Sequence, residues 1–160
     1  MNEVYRKSLI KNIEENFKDF QSILYSLQQK DSEENRSSSD TLRDFFTTLM
    51  AVEEDVFEMR LKKIIDRENP YLPAIIPDKI KRQNYYDDGT LQEVIEKFLE
   101  QKKKLIKFLL NVPYGSWEKT GFHEVEGHVT FEEFIRRMIR NDKLNMSQIR
   151  DKYIKIDTDK

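Results

Sequence analysis

"TFEEFIRRMIRNDKLNMSQI", Thr130 to Ile149, is the stretch whose reading decides the fold. It opens with a capping box, T-x-x-E, in which the Thr oxygen and the Glu carboxylate satisfy orphan amides at a helix start. Phe131, Phe134, Met138, Ile149 and, beyond the stretch, Tyr153 recur at the three- and four-residue steps of an amphipathic helix. The same stepping carries the stripe through Asn141 and Asn145, which lie four residues apart and so project from one helix face. A buried amide without a partner costs about 1–3 kcal/mol. Two of them on a core stripe therefore predict something polar opposite: a neighbouring helix, a buried water, solvent where the bundle core opens, or a cavity in the bundle centre.

Three further helices follow from the same periodicity. Tyr5, Leu9, Ile13, Phe17, Phe20, Leu24 and Leu27 predict a first helix over about Asn2 to Gln29, roughly 40 Å long at about 1.5 Å per residue. "KDSEENRSSSD" then loses all apolar content and reads as a loop ending in N-cap candidates. Leu42, Phe45, Phe46, Leu49, Val52, Val56, Met59 and Ile64 form the buried face of helix two, which starts near Asp40 or Thr41. The segment "RENPYLPAIIPDKIKRQNYYDDG" carries three prolines and cannot continue that helix. Its Tyr71, Leu72, Ile75, Ile76, Tyr85 and Tyr86 predict a long connection packed over the bundle. A second capping box, "TLQE" at Thr90 to Glu93, opens helix three, which runs through Leu91, Ile95, Phe98, Leu105, Phe108 and Leu109 and stops before Pro113. The fold class is all-α: one domain over residues 1–160, a four-helix bundle with long loops after helix two and before helix four. The 67–89 connection is long enough to cross between bundle ends, so a simple up-down-up-down order is not implied.

Composition narrows the function. The 28 Lys and Arg balance 30 Asp and Glu to a net charge of −2, without the basic excess of a nucleic-acid binder. The densest basic run, "KFLEQKKKLIKF", alternates with apolar residues and reads as a solvated helix face. No cysteine is present, which excludes disulfides, thiolate metal sites and cysteine nucleophiles. The charged first residues lack an apolar leader segment, and no stretch approaches the ~18 apolar residues of a membrane span. A cytoplasmic protein with neither nucleic-acid nor membrane partner is expected.

Few residues offer chemistry. There is no phosphate loop and no G-x-S-x-G elbow. "HEVEGH" echoes the zincin H-E-x-x-H, but its second histidine is one residue too far along to share a helix face. The two histidines, His123 and His128, are spaced five apart in "GFHEVEGHVTF" and match no compact zinc signature. His123 is the candidate titrating group near neutral pH and the candidate catalytic residue. On helix two, Thr47 and Thr48 interrupt the apolar face, and Glu53 and Arg60, seven residues apart, could share a partly buried ion pair through an intermediary, each alone reading as surface. Trp117 reads as a packing residue.

The helix-two segment "LRDFFTTLMAVEEDVFEMRL", the pattern W-x-x-x-G-x-H-x-x-x-G-H-x-T from Trp117, and the last helix, in this order, resemble the DinB/YfiT-like superfamily over nearly the whole chain. The resemblance implies a four-helix bundle, often dimeric, with a divalent metal held by one histidine on helix two and an H-x-x-x-H pair on the last helix. Some branches are transferases or isomerases acting with bacillithiol, mycothiol or glutathione. In this chain the last-helix pair falls on Asn141 and Asn145, and the helix-two ligand on Thr48, or on Leu49 if the register slips by one. All three histidines are missing. Neutral amide and hydroxyl oxygens are poor ligands for nickel or zinc, which many members bind. The expectation is thus a bacterial DinB-like protein with a degenerate metal site and no metal or other cofactor. Its cavity would be lined by Thr48, Asn141 and Asn145, with Glu53, Arg60, Trp117 and His128 in the cavity or at its mouth. Three activities are compatible with it: binding of a small molecule, a thiol-dependent transferase reaction in the same cavity, or a homodimeric structural role.

Overall fold

A computed structural model describes residues 2–31, 36–74 and 89–154. Helix α1 (Glu3–Asp31) is capped by Asn2, whose Oδ1 accepts the Val4 N–H at 2.7 Å. Helix α2 begins at Arg36, inside the Ser-rich segment read as loop, and runs as a regular α-helix over Arg36–Glu54. It widens to a π-helical stretch over Asp55–Leu61 and ends in a last α-turn, Lys62–Asp66. Helix α3 (Leu91–Asn111) and helix α4 (Phe131–Ile149, with a π-helical extension Arg150–Ile154) start at the two expected caps. Thr90 accepts the Glu93 N–H at 3.2 Å and Thr130 accepts the Glu133 N–H at 3.0 Å.

The apolar stripes converge on two clusters that fix the direction of every helix. One holds Leu9 and Ile13 of α1, Leu61 and Ile64 of α2, Leu105 and Leu109 of α3, and Phe131 to Ile139 of α4. The other holds Phe20 to Leu27, Leu42 to Met50, Leu91 to Phe98, and Met146 with Ile149. Helices α1 and α4 run from the first cluster to the second, while α2 and α3 run from the second to the first. The order is up-down-down-up, and the long 67–90 connection is what returns the chain between bundle ends. Leu72 is fully buried as predicted, whereas Tyr71 is exposed. Ile75, Ile76, Tyr85 and Tyr86 lie outside the described residues, as does the Val56 side chain.

The four-helix reading holds, and a small sheet is added to it. Strands β1 (Tyr71–Leu72), β2 (Thr120–His123) and β3 (Gly127–Thr130) pair in the order β1-β2-β3, parallel then antiparallel. The segment "GFHEVEGHVTF", read as a loop at a cavity mouth, is the β2–β3 hairpin. Its alternation buries Gly121, His123 and Val129, the last in the first cluster, and leaves Phe122 and His128 outside. Gly127 closes the turn at φ 78°, a conformation glycine adopts without strain.

Candidate functional site

Between the two apolar clusters the bundle is crossed by a polar layer. On each helix it occupies the gap in the stripe: Asn16 on α1, Glu53 on α2, Lys102 on α3 and Asp142 on α4. Lys102 is 1% exposed and is the centre of the layer. Its Nζ donates to Asp142 Oδ1 at 2.6 Å and pairs with Glu53 Oε2 at 2.5 Å. The ammonium also lies 5.4 Å from the Phe20 ring centre and 5.5 Å from that of Phe98, a cation–π setting in a water-poor interior. Asn16, buried, donates through Nδ2 to the Ile139 carbonyl at 3.3 Å and ties α1 to α4.

The electrostatics follow from burial. Desolvation alone would lower the Lys102 pKa, but the pull of Glu53 and Asp142 and its hydrogen bonds to both hold the ammonium above the ordinary lysine value. Burial pushes the Glu53 carboxyl above its ordinary 4.5; Lys102 opposes this, Asp142 reinforces it, and the neighbouring Gln101 side chain, a hydrogen-bond donor, opposes it least. Gln101 itself donates to the Met50 carbonyl at 3.1 Å. Glu53 Oε1 is buried and makes no hydrogen bond among the described residues.

The layer borders a cavity. A space of about 340 Å³ opens between α2 and α4, with Phe98 of α3 in its wall. Its polar lining is Thr48, Glu53, Asn141, Asp142, Asn145 and Gln148, and its apolar lining includes Leu49, Val52, Met138 and Leu144. A second, outer space of about 670 Å³ shares Thr48, Leu49 and Gln148 with the first, so the two abut.

Thr48, Asn141 and Asn145 do line one cavity, but the two asparagines are not the seam residues. Asn141 is exposed and Asn145 half-buried, while Asp142, Met146 and Ile149 carry the stripe. From Met138 a step of three leads to Asn141 and a step of four to Asp142, and the packing chose the latter. Glu53 and Arg60 do not pair. Arg60 is buried at the other end of the bundle, where its Nη2 donates to the Pro73 carbonyl and its guanidinium lies 5.8 Å from the Phe134 ring centre.

The remaining candidates also belong to that other end. His123 Nδ1 accepts the N–H groups of Val125 at 3.1 Å and Glu126 at 3.2 Å, so the ring is used to close the hairpin, and it lines neither cavity. His128 is exposed and meets Asn69 Oδ1 through Nδ1 at 3.1 Å. Trp117 is fully buried, edge-on to Phe131 with ring centres 5.2 Å apart, and packs as expected. The pair that tethers the hairpin to α4 is Arg137 with Glu126, two hydrogen bonds of 2.6 and 2.8 Å. Those bonds hold the exposed Glu126 carboxyl below its ordinary pKa.

Sequence reasoning missed Lys102, Asp142 and Asn16. The signal for Lys102 was available, because Ile95, Phe98, Lys102, Leu105 and Leu109 step by three and four without a break.

Fold and site together define a class: a four-helix bundle of up-down-down-up order with a central cavity beside an ionic layer. Comparison with protein-family models and with curated proteins gives no match. Among solved structures the chain is similar to YfiT from Bacillus subtilis, described as a probable metal-dependent hydrolase with an unusual four-helix bundle topology. The two share a TM-score of 0.72 at 12% identity over 94% of this chain and 87% of that one. The chain has the YfiT fold. The metal that this likeness brings with it can be tested against the residues present. Thr48 Oγ1 already donates to the Asp44 carbonyl at 3.0 Å, and Thr48, Asn141 and Asn145 supply no negative charge. The carboxylates beside them are taken up by Lys102. Among the described residues no three His, Cys, Asp or Glu side chains are placed to hold an ion. This donor set does not fit zinc or nickel, which want imidazole or thiolate ligands.

Proposed function

We propose that the protein is a YfiT-fold binding protein whose central site carries a fixed internal cation, the Lys102 ammonium, and receives a small organic molecule in the cavity between α2 and α4. The observation that carries this reading is the cavity of about 340 Å³, bordered by the neutral polar side chains of Thr48, Asn141 and Asn145. A neutral polar rim around an apolar wall fits a small molecule with an apolar body and one polar end. The charge that an ion would bring is already in place on Lys102, and adding a second cation of high charge beside it would cost Coulomb energy.

Two measurements on protein purified without a histidine tag test the reading. After loading with nickel or zinc and dialysis, the protein retains well under one equivalent; retention of a full equivalent per chain overturns the proposal. Hexanol, as a probe with one polar end, raises the melting temperature saturably, as any ligand of the native state does. Asn145→Trp, which fills the cavity, removes that response. No response in the unmodified protein also overturns the proposal. A panel of low-molecular-weight thiols in the same assay tests the thiol-dependent alternative, for which a thiol-specific rise is the required result.

A further inference from the structure

We infer that the ligand of this cavity is an uncharged primary carboxamide on an aliphatic chain, its amide paired with the Asn145 side chain and its second N–H on Thr48 Oγ1; the inference rests on the cavity being a binding site. Charge makes the first selection. The charged groups beside the cavity are spent on one another, since Glu53 and Asp142 both engage Lys102 Nζ, and the lining contains no other Lys, Arg, Asp or Glu. A ligand ammonium or carboxylate would lose water there without gaining a counter-ion, which costs more than burying a neutral polar group.

Hydrogen-bonding capacity makes the second. Asn141, Asn145 and Gln148 follow one another at steps of four and three along α4, so their carboxamides share the face that borders the cavity. Among the described residues none of the three makes a hydrogen bond. Asn141 and Gln148 are exposed, at the rim, whereas Asn145 is half-buried and is the amide enclosed enough to hold a ligand. A carboxamide carries a donor and an acceptor side by side in one plane, and a second carboxamide complements both at once. Thr48 lines the same cavity from α2 with its hydroxyl proton already given to the Asp44 carbonyl at 3.0 Å, so a ligand can only donate to it. A primary carboxamide has a further N–H for that oxygen. An alcohol has a single donor for two acceptors, and a carboxylate has none. The remaining walls, Leu49, Val52, Met138 and Leu144, are apolar and suit methylene groups. A longer chain continues into the outer space, which meets the inner one at Thr48, Leu49 and Gln148 and adds Phe45 and Tyr153.

Hexanamide, hexanol, hexylamine and hexanoate have the same chain and differ in the polar end, so isothermal titration of the unmodified protein with each separates the terms. At about pH 7 the amine and the acid are both charged, as lysine and glutamate side chains are. Hexanamide is expected to bind about tenfold tighter than hexanol, the worth of one or two further neutral hydrogen bonds, and an advantage below about threefold overturns the inference. Hexylamine or hexanoate binding as tightly as hexanamide also overturns it; in either case the binding reading stands, whereas failure of all four ligands overturns both. Asn145→Leu keeps the side-chain volume, removes the donor and the acceptor, and is expected to bring hexanamide to the affinity of hexanol. A hexanamide advantage that persists in this variant overturns the inference. Should the variant fail to fold, the ligand order in the unmodified protein still decides. Asn145→Trp abolishes hexanamide binding, and binding that survives this variant overturns the inference as a surface effect.

Discussion

Replacing Lys102 with methionine removes the centre of the polar layer and leaves its rim. The ammonium is 1% exposed and pairs with Glu53 and Asp142 at 2.5 and 2.6 Å. At an effective dielectric constant of about 20 each attraction is about 6 kcal/mol before desolvation is charged against it. Removing one partner of such a buried group characteristically costs about 3–5 kcal/mol, because the remaining charges stay buried without compensation. A domain of this size has a total stability of about 5–15 kcal/mol, so the loss is a large share of it. At roughly 2–4 °C per kcal/mol the melting temperature should fall by roughly 6–20 °C near neutral pH. Urea unfolding followed by circular dichroism measures the free energy directly. The companion variant Lys102→Met/Glu53→Gln/Asp142→Asn keeps the shape while removing the charges, and should recover most of the loss. Protonation of the stranded carboxylates should likewise shrink the deficit of the single variant as pH is lowered. A loss below about 1 kcal/mol at neutral pH, the range of an exposed ion pair, would show that the layer is not desolvated and would refute the reasoning.

Glu53 should titrate above 4.5 in a carbon-detected carboxyl experiment, and Lys102→Met should raise it further, since Lys102 is what opposes the upward push of burial. Between 4.5 and that raised value the native state binds more protons than the unfolded chain, so this group's contribution to stability is full below 4.5 and declines as pH rises through the window; a Glu53 value at or below 4.5 contradicts the burial argument. Thr48→His combined with Asn141→His and Asn145→His should create nickel or zinc affinity measurable by titration, because all three positions line one cavity; no gain means that they do not converge on a common point. A methyl group on Gly121 would meet Leu72 Cδ1 at 2.4 Å and Ile64 Cγ1 at 3.2 Å. Gly121→Ala should therefore lower stability by about 1–3 kcal/mol in urea unfolding, and a neutral result would mean that Leu72 can move aside freely.

Much of the architecture could be read along the chain because it depends on neighbours in sequence. The starts of α3 and α4 follow from Thr90 and Thr130, whose hydroxyls reach amides three residues on. The long apolar stripes needed only periodicity, and Pro70, four residues past the last helical residue Asp66, bars continuation of helix two for steric reasons. The hairpin was misread as loop because its strands are four residues each, too short for alternation to stand out. The start of α2 was placed late because serine and aspartate favour turns but are tolerated in a first helical turn.

What the sequence by itself determined is therefore the set of helices, their apolar faces and the absence of histidine where the resemblance implies metal ligands. Which charges are buried was decided only by the tertiary structure. Lys102, Lys103 and Lys104 are alike in sequence, yet the first is buried and the next two are exposed. The difference lies in Glu53 and Asp142, which are brought from helices 49 residues before and 40 after to the same ammonium. A lysine enters a core only where opposite charges meet it there, and pairing between separate helices leaves no periodicity for either helix to display. The same physics chose Asp142 over Asn141 for the stripe. An anion was needed opposite Lys102, and a carboxylate one residue further along the helix could supply it.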